Sequence, residues 1–366
     1  MNSKIEYNDI FAFHPGYYIS EIIEELGVNQ AEFAARMGTT PKTISLLVNG
    51  RCNLSNDLAL KISAMLGSSV EVWLNLQKVF DEKVIEIERE KSLNEQTEVM
   101  QMIDYSYFVE VANLPATKVV SEKITNLCQY LLVGDLRTLK QPDYLVNYRT
   151  VINDVQEKNI VNSRAWVQAA LNIAKDIDVA PFNDNVLAEY LPEIRSMTLQ
   201  PPSSFVPRLN DLFSTCGVAF VIMPHLKNSG VNGAVKWYNN QKVLLAVSNR
   251  RLYADTFWFS LFHEIKHILQ QKTKRVFVSG ASELIDSDKL LEDDADNFSR
   301  DYLIPPRDYA DFNPTRFVTD AEIVAFAEKI KIHPGVVAGR LQHDNIIPQN
   351  RCSKLKERYY LSALTR

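Results

Sequence analysis

The chain has 366 residues, 46% of them hydrophobic, which is enough for two or three cores and excludes disorder as its organising theme. Its four cysteines, Cys52, Cys128, Cys216 and Cys352, lie far apart with no C-x-x-C pair, which points to reduced thiols in a cytosol and against a cysteine zinc site. Met1 to Glu6 hold no apolar signal core, no run approaches 18 apolar residues, and a net charge of −5 gives no global attraction to nucleic acid; secretion and membrane insertion are disfavoured, and any DNA binding must be local.

In chain order, the first predicted element is an amphipathic helix over residues 18–27, with Tyr18, Ile19, Ile22, Ile23 and Leu26 on one side and Gly27 closing it. Asn29 then caps a short helix from Gln30 to Met37. Gly38-Thr39-Thr40 makes a tight turn, Pro41 suits the first position of the next helix, Ile44, Leu47 and Val48 give that helix a buried side, and Asn49-Gly50 ends it. Two short helices joined through a glycine-containing turn are the helix-turn-helix pattern, whose second helix enters the major groove. Arg36, Lys42, Arg51 and Lys61 gather around that helix, so the face is modestly basic. Lys42 is expected at a guanine edge or a phosphate, Thr40 and Thr43 at a base or phosphate, and Gln30, Asn49 and Arg51 at the backbone, with Ser45 also exposed. The competing reading is a helical bundle that binds protein.

Helical stretches at Asp57–Leu66 and Val70–Phe80 complete a five-helix domain over residues 10–80. The segment Asp81–Gln96, dense in Glu and Lys, reads as a solvated connecting helix. Residues 97–200 show helical periodicity, as in Ile124–Leu132 and Trp166–Ile173, without a chemical motif, so 81–200 is assigned to a helical linker or scaffold. Pro201-Pro202-Ser203-Ser204 marks a join. Beyond it, Val218–Met223 and Val243–Val247 read as strands with Asn239-Asn240 as a hairpin turn.

The densest chemistry lies at 262–268, where His263-Glu264-x-x-His267 has the H-E-x-x-H spacing of a zinc peptidase helix. One helical turn separates the imidazoles, so both leave one face, with Glu264 beside them as the candidate general base. Phe257, Trp258, Phe259, Leu261, Phe262, Ile265, Ile268 and Leu269 make this helix apolar on most sides, and polar groups in such a place are costly unless something satisfies them. A zinc catalyst needs a third protein ligand, and Glu292 supplies it; Asp296, one turn on, is placed to hold the far nitrogen of a ligating His. Ala295, Phe298 and Leu303 point inward and Pro305-Pro306 ends this second helix. The competing reading is a satisfied core helix beside a solvated acidic face.

His14-Pro15-Gly16, Asn49-Gly50-Arg51 and Trp73-Leu74-Asn75-Leu76-Gln77 resemble the HigA-type antitoxin branch of the Cro-repressor (XRE) helix-turn-helix family. From Phe257 to Pro305 the chain resembles the ImmA/IrrE metallopeptidases, in the H-E-x-x-H helix, the Glu292-x-x-Ala295-Asp296 helix and the Leu303-Ile304-Pro305 ending. The first resemblance implies a dimeric, DNA-binding autorepressor of a toxin-antitoxin kind. The second implies a Zn2+-dependent endopeptidase with His263, His267 and Glu292 as ligands and Glu264 as base, cleaving a regulatory protein. Together they imply an α+β protein, mostly α: a repressor-like domain at 10–80, a helical spacer, a gluzincin-like domain with a small sheet at 201–345, and a C-terminal extension at 346–366. Operator DNA, a protein substrate or cognate toxin, and a second copy of the chain are the implied partners, in a bacterial cytoplasm, nucleoid-associated when DNA-bound. Val243–Val247 is expected as an edge strand gripping an extended peptide. Lys236, Trp237, Tyr302 and His343 are candidates for stabilising an oxyanion, none assigned. The alternative function is a non-catalytic antitoxin whose peptidase fold binds a toxin or senses a ligand.

Overall fold

A computed structural model describes residues 3–141, 156–250, 253–270, 276–279, 286–314 and 317–360, with backbone only for 276–279 and 286–289. Parts of the expected spacer (142–155) and of the C-terminal extension (361–366) lie outside the described residues. The chain is mostly helical with a small sheet, and it divides into two compact units, Met1–Gln96 and Thr97–Arg366. Among the described residues no helix is long and apolar enough to cross a membrane.

The first unit opens with a hairpin that the sequence reading did not include. Strands β1 (Lys4–Tyr7) and β2 (Ile10–Phe13) pair antiparallel through the two-residue turn Asn8-Asp9, with Asn8 at a left-handed φ of 49°. An Asx pair between two short runs was the available signal. Five helices follow: α1 (Pro15–Glu25), α2 (Gln30–Arg36), α3 (Pro41–Val48), α4 (Asn56–Leu66) and α5 (Val70–Met102). The last is one helix where two were expected, because no Gly or Pro interrupts 70–102 and the charged half needs no buried face to continue. Ile19, Phe33, Ile44, Leu47, Ile62 and Trp73 form the core. Gly38, at φ 62°, lets the chain reverse between α2 and α3.

Helix α1 begins three residues before the expected start because His14 caps it. The His14 Nδ1 accepts the Gly16 N–H at 2.9 Å, and Pro15 occupies the first helical position. A Cβ on Gly16 would lie 1.9 Å from the Leu47 carbonyl oxygen, so only glycine lets α1 cross α3 at this distance. His14 is buried with Phe80 edge-on at 4.9 Å, and burial lowers its pKa below 6.5. Protonation would remove the lone pair that accepts from Gly16. A folded-state pKa below the unfolded one gives a stability contribution present above the unfolded value near ~6.5 and lost as pH falls from there through the folded value. The melting temperature should therefore drop between pH 7.5 and 5 more steeply in the wild type than in His14→Asn, whose amide accepts without titrating. Equal slopes would contradict this role.

The second unit is built on a mixed sheet. Its helices before the sheet are α6 (Tyr105–Ala112), α7 (Val120–Leu131), α8 (Glu157–Lys175), α9 (Asp184–Ser196) and α10 (Pro202–Thr215). Strands β3 (Val218–Met223), β4 (Gly233–Trp237), β5 (Val243–Ser248) and β6 (Val276–Ser279) stand in the order β3-β5-β4-β6. β3 and β5 are parallel, and β4 is antiparallel to both β5 and β6. After the sheet come α11 (Ala254–Gln270), α12 (Asp286–Leu303), α13 (Pro306–Phe312), α14 (Asp320–Ile330) and α15 (Pro334–His343), with α11 lying between β5 and β6 in sequence.

The expectation of an edge strand at Val243–Val247 is corrected: β5 is paired on both sides. Val-Leu-Leu-Ala-Val-Ser is buried at every position, and a run apolar on both faces is the pattern of an interior strand, whereas one solvated face would have alternated. On one face Val218, Phe220, Ile222, Val235, Val243, Leu245 and Val247 pack with α9, α10, α11, α14 and α15. On the other lies α8, buried along most of its length, with its Trp166 Nε1 donating to the Pro224 carbonyl at 2.8 Å. A stretch assigned to the spacer thus covers the sheet. The C-terminal segment also joins the core: Tyr359 is buried, its hydroxyl accepts from Trp258 Nε1 at 2.9 Å, and the Glu357 carbonyl accepts the Ala254 N–H at the start of α11.

Candidate functional site

Helix α11 runs 17 residues without Gly or Pro, with Asp255 in its first turn where a carboxylate suits the helix dipole. Phe257, Trp258, Leu261, Phe262, Ile265 and Ile268 bury the stripe facing the core. His263, Glu264 and His267 are buried as well, the two histidines on the side where α12 packs and Glu264 toward β4. The two imidazole Nε2 atoms are 2.9 Å apart, and the Glu292 carboxylate reaches both, Oε2 at 3.1 Å from His263 and Oε1 at 3.2 Å from His267. Among the described residues these three form the group with the donor set for a metal ion.

Hydrogen bonds behind the rings decide what the front atoms are. His263 Nδ1 is 2.8 Å from Asp296 Oδ1, a carboxylate that accepts, so this nitrogen carries the proton. His267 Nδ1 is 3.0 Å from Gln270 Oε1. The amide orientation is fixed because Gln270 Nε2 donates to the Leu291 carbonyl at 3.0 Å and to Asp294 Oδ2 at 2.7 Å, leaving Oε1 as the acceptor. Each ring turns its Nε2 toward the other ring and toward the Glu292 carboxylate. Groups of this kind meeting in a largely buried place are satisfied by positive charge, a proton on an imidazole or a metal ion. The titration behaviour says the same. Burial opposes a charged His263, but hydrogen bonds to Asp296 and Glu292 outweigh it and hold the pKa up at about 10. Burial likewise opposes an ionised Glu292, yet the two histidines bring it down to about 2.

The donor set fits zinc: two imidazoles and one carboxylate, with no thiol. Bonds of ~2.0–2.1 Å in a tetrahedron put ligand atoms ~3.3 Å apart, close to the spacings here. Gln270 is the residue that sequence reading missed; its signal was a polar side chain at His267 plus three on the same helical face. Glu264 is fully buried, against the first residue of β4. Lys236 lies three residues further along that strand, on the opposite face. His343 is largely exposed beside Asp344, Tyr302 stacks on Phe262 at 5.3 Å, and Trp237 meets Phe182 edge-on at 4.7 Å. Among the described residues, none of the four is brought into the histidine cluster by a hydrogen bond.

In the first unit, Thr40 caps α3. Its hydroxyl accepts the Thr43 N–H at 3.1 Å and bonds the Thr43 hydroxyl at 2.9 Å, an N-cap typically worth ~1 kcal/mol. Asn49 ends the helix, its amide donating to the Ser45 carbonyl at 2.7 Å. Gln30 stands exposed at the first position of α2. The basic cluster is smaller than the sequence suggested: Arg36 is paired with Glu32, and Lys61 with Asp57 at 2.8 Å. Lys42 and Arg51 are exposed and have no carboxylate partner among the described residues.

The Helix-turn-helix family matches residues 19–73. An uncharacterized HTH-type transcriptional regulator of Escherichia coli (strain K12), YddM, is 39% identical over 83 residues, 22% of this chain and 88% of that protein. Antitoxin HigA-1 of Vibrio cholerae serotype O1 is 38% identical over 61 residues, 17% of this chain and 57% of the antitoxin. A solved addiction module antidote protein of a HigA family from Coxiella burnetii is 25% identical, with a TM-score of 0.22, over 23% of this chain and 91% of that one.

Proposed function

We propose, from the premise that the chain belongs through its N-terminal unit to the helix-turn-helix transcriptional regulators, that it is a HigA-like autorepressor carrying a zinc-dependent endopeptidase of the ImmA/IrrE kind. The observation that carries the second half is the meeting of His263 and His267, both buried, with the partly buried Glu292, beside Glu264. When bound there, zinc would lower the pKa of its water toward ~7 and polarise a scissile carbonyl. Glu264 takes the proton from the attacking water and returns it to the leaving amine. Asp296 and Gln270 hold the imidazoles in one tautomer and orientation, and the surrounding apolar wall keeps bulk water away. The substrate is a regulatory protein, and the toxin-antitoxin setting follows the name of the Vibrio relative.

The DNA half works through α3 in the major groove, as a homodimer on a short inverted repeat in its own promoter. Lys42 and Arg51 provide the unpaired positive charge. Lys42→Ala should lower specific affinity by ~1–3 kcal/mol. Lys61→Ala should cost less, because that ammonium is already held by Asp57. Gel shifts against a promoter fragment and a scrambled one check both. Equal retention of the two fragments would contradict sequence-specific binding.

The full burial of Glu264 and His267 favours a second reading, in which the same pocket holds a metal or ligand without turnover and the protein is a binding antitoxin. Glu264→Gln separates the two readings.

A further inference from the structure

We propose that Gly233 is the positioning residue for Glu264, its missing side chain being the space in which the carboxylate sits. A Cβ built on Gly233 would lie 2.5 Å from Glu264 Oε1 and 2.7 Å from both Cδ and Cγ. Every one of these contacts is with the side chain of the candidate base, and none is with backbone. The glycine is not there for conformation, since Gly233 is absent from the positive-φ residues. On propensity alone, a glycine at this strand position is a disadvantage relative to alanine.

Neither neighbour can retreat to make room. Gly233 pairs with Val247 of β5 on one side and Ser279 of β6 on the other, and the adjoining Asn232 carbonyl accepts the Ser248 N–H at 2.8 Å. Opposite, α11 is wedged by Leu261, Phe262, Ile265 and Ile268, all essentially fully buried. An added methyl must therefore displace the Glu264 side chain, while the metal-binding face of α11 at His263 and His267 keeps its Asp296 and Gln270 supports. The inference rests on the peptidase reading for its catalytic meaning, and on packing alone for its structural content.

A double-mutant cycle in the full-length protein tests it. Gly233→Ala, Glu264→Ala and the double variant are compared with wild type by thermal unfolding of chelator-treated protein. Gly233→Ala should lower the melting temperature by ~5 °C, the scale of an overpacked core methyl. In the Glu264→Ala background the same substitution should cost nothing, because the group it strikes is gone. If Gly233→Ala is too unstable to purify, normal recovery of the double variant supports the proposal equally. Equal loss in both backgrounds, or failure of both to fold, overturns it. Zinc-loaded Gly233→Ala should keep wild-type zinc stoichiometry, and loss of zinc would also overturn it, since the methyl would then be moving the ligands. The cycle reads no turnover, so a failure of the proteolysis reading, seen as unimpaired cleavage by Glu264→Gln, leaves its result intact.

Discussion

Glu264→Gln should bind zinc and operator DNA as the wild type does and yet fail to cleave its protein partner. The substitution keeps the size of a side chain that is fully buried, and it leaves His263, His267 and Glu292 with their partners. What it removes is the carboxylate proposed to accept and return a proton, a contribution of ~10²–10⁴-fold in rate. On the proposed reading, genes under its repression should therefore stay silent under the inducing signal. Immunoblots of cells, following this protein and its neighbouring gene product, provide the measurement. Identical induction and identical fragment patterns for wild type and variant would remove proteolysis from the account and leave the binding antitoxin.

The second large effect is all-or-none in metal content. His263→Ala, His267→Ala and Glu292→Ala each reduce the three proposed protein ligands to two, and should drop zinc from about one per chain to near zero. Asp296→Ala and Gln270→Ala leave the ligands in place and release only a ring's far nitrogen, so zinc affinity should fall by ~10–100-fold while stoichiometry at excess metal is retained. Glu292→Ala also removes one of the carboxylates that, after Asp296, hold the His263 pKa up in the metal-free protein. Ligand variants that retain full zinc after dialysis would show that the ion sits elsewhere.

Local signals in the sequence read well where one residue type has one physical use. Asn29 caps a helix, Pro41 opens one, Gly38 turns the chain, and His263, His267 and Glu292 bring three potential donor atoms to one point. The misses share a cause, which is that they depend on partners distant in sequence. β5 lies between β3 and β4, and nothing within Val243–Ser248 says how many neighbours it has except the burial of both faces. The role of α8 appears only when the sheet it covers is assembled, and that of Tyr359 only when it meets Trp258, 101 residues away. The loss of Arg36 and Lys61 from the basic face is different: both pairings are i to i+4 along a helix and were open to reading from spacing alone. Gly233 gives no local sign at all, because its reason is a carboxylate on another element.

The measurement that tests the central claim most directly is elemental analysis of the wild-type protein purified without chelators. The geometry of His263, His267 and Glu292 predicts roughly one zinc per chain, reloaded after chelation to the same level. A metal-free wild type that takes up no zinc on addition would contradict the site, and with it the proposed peptidase.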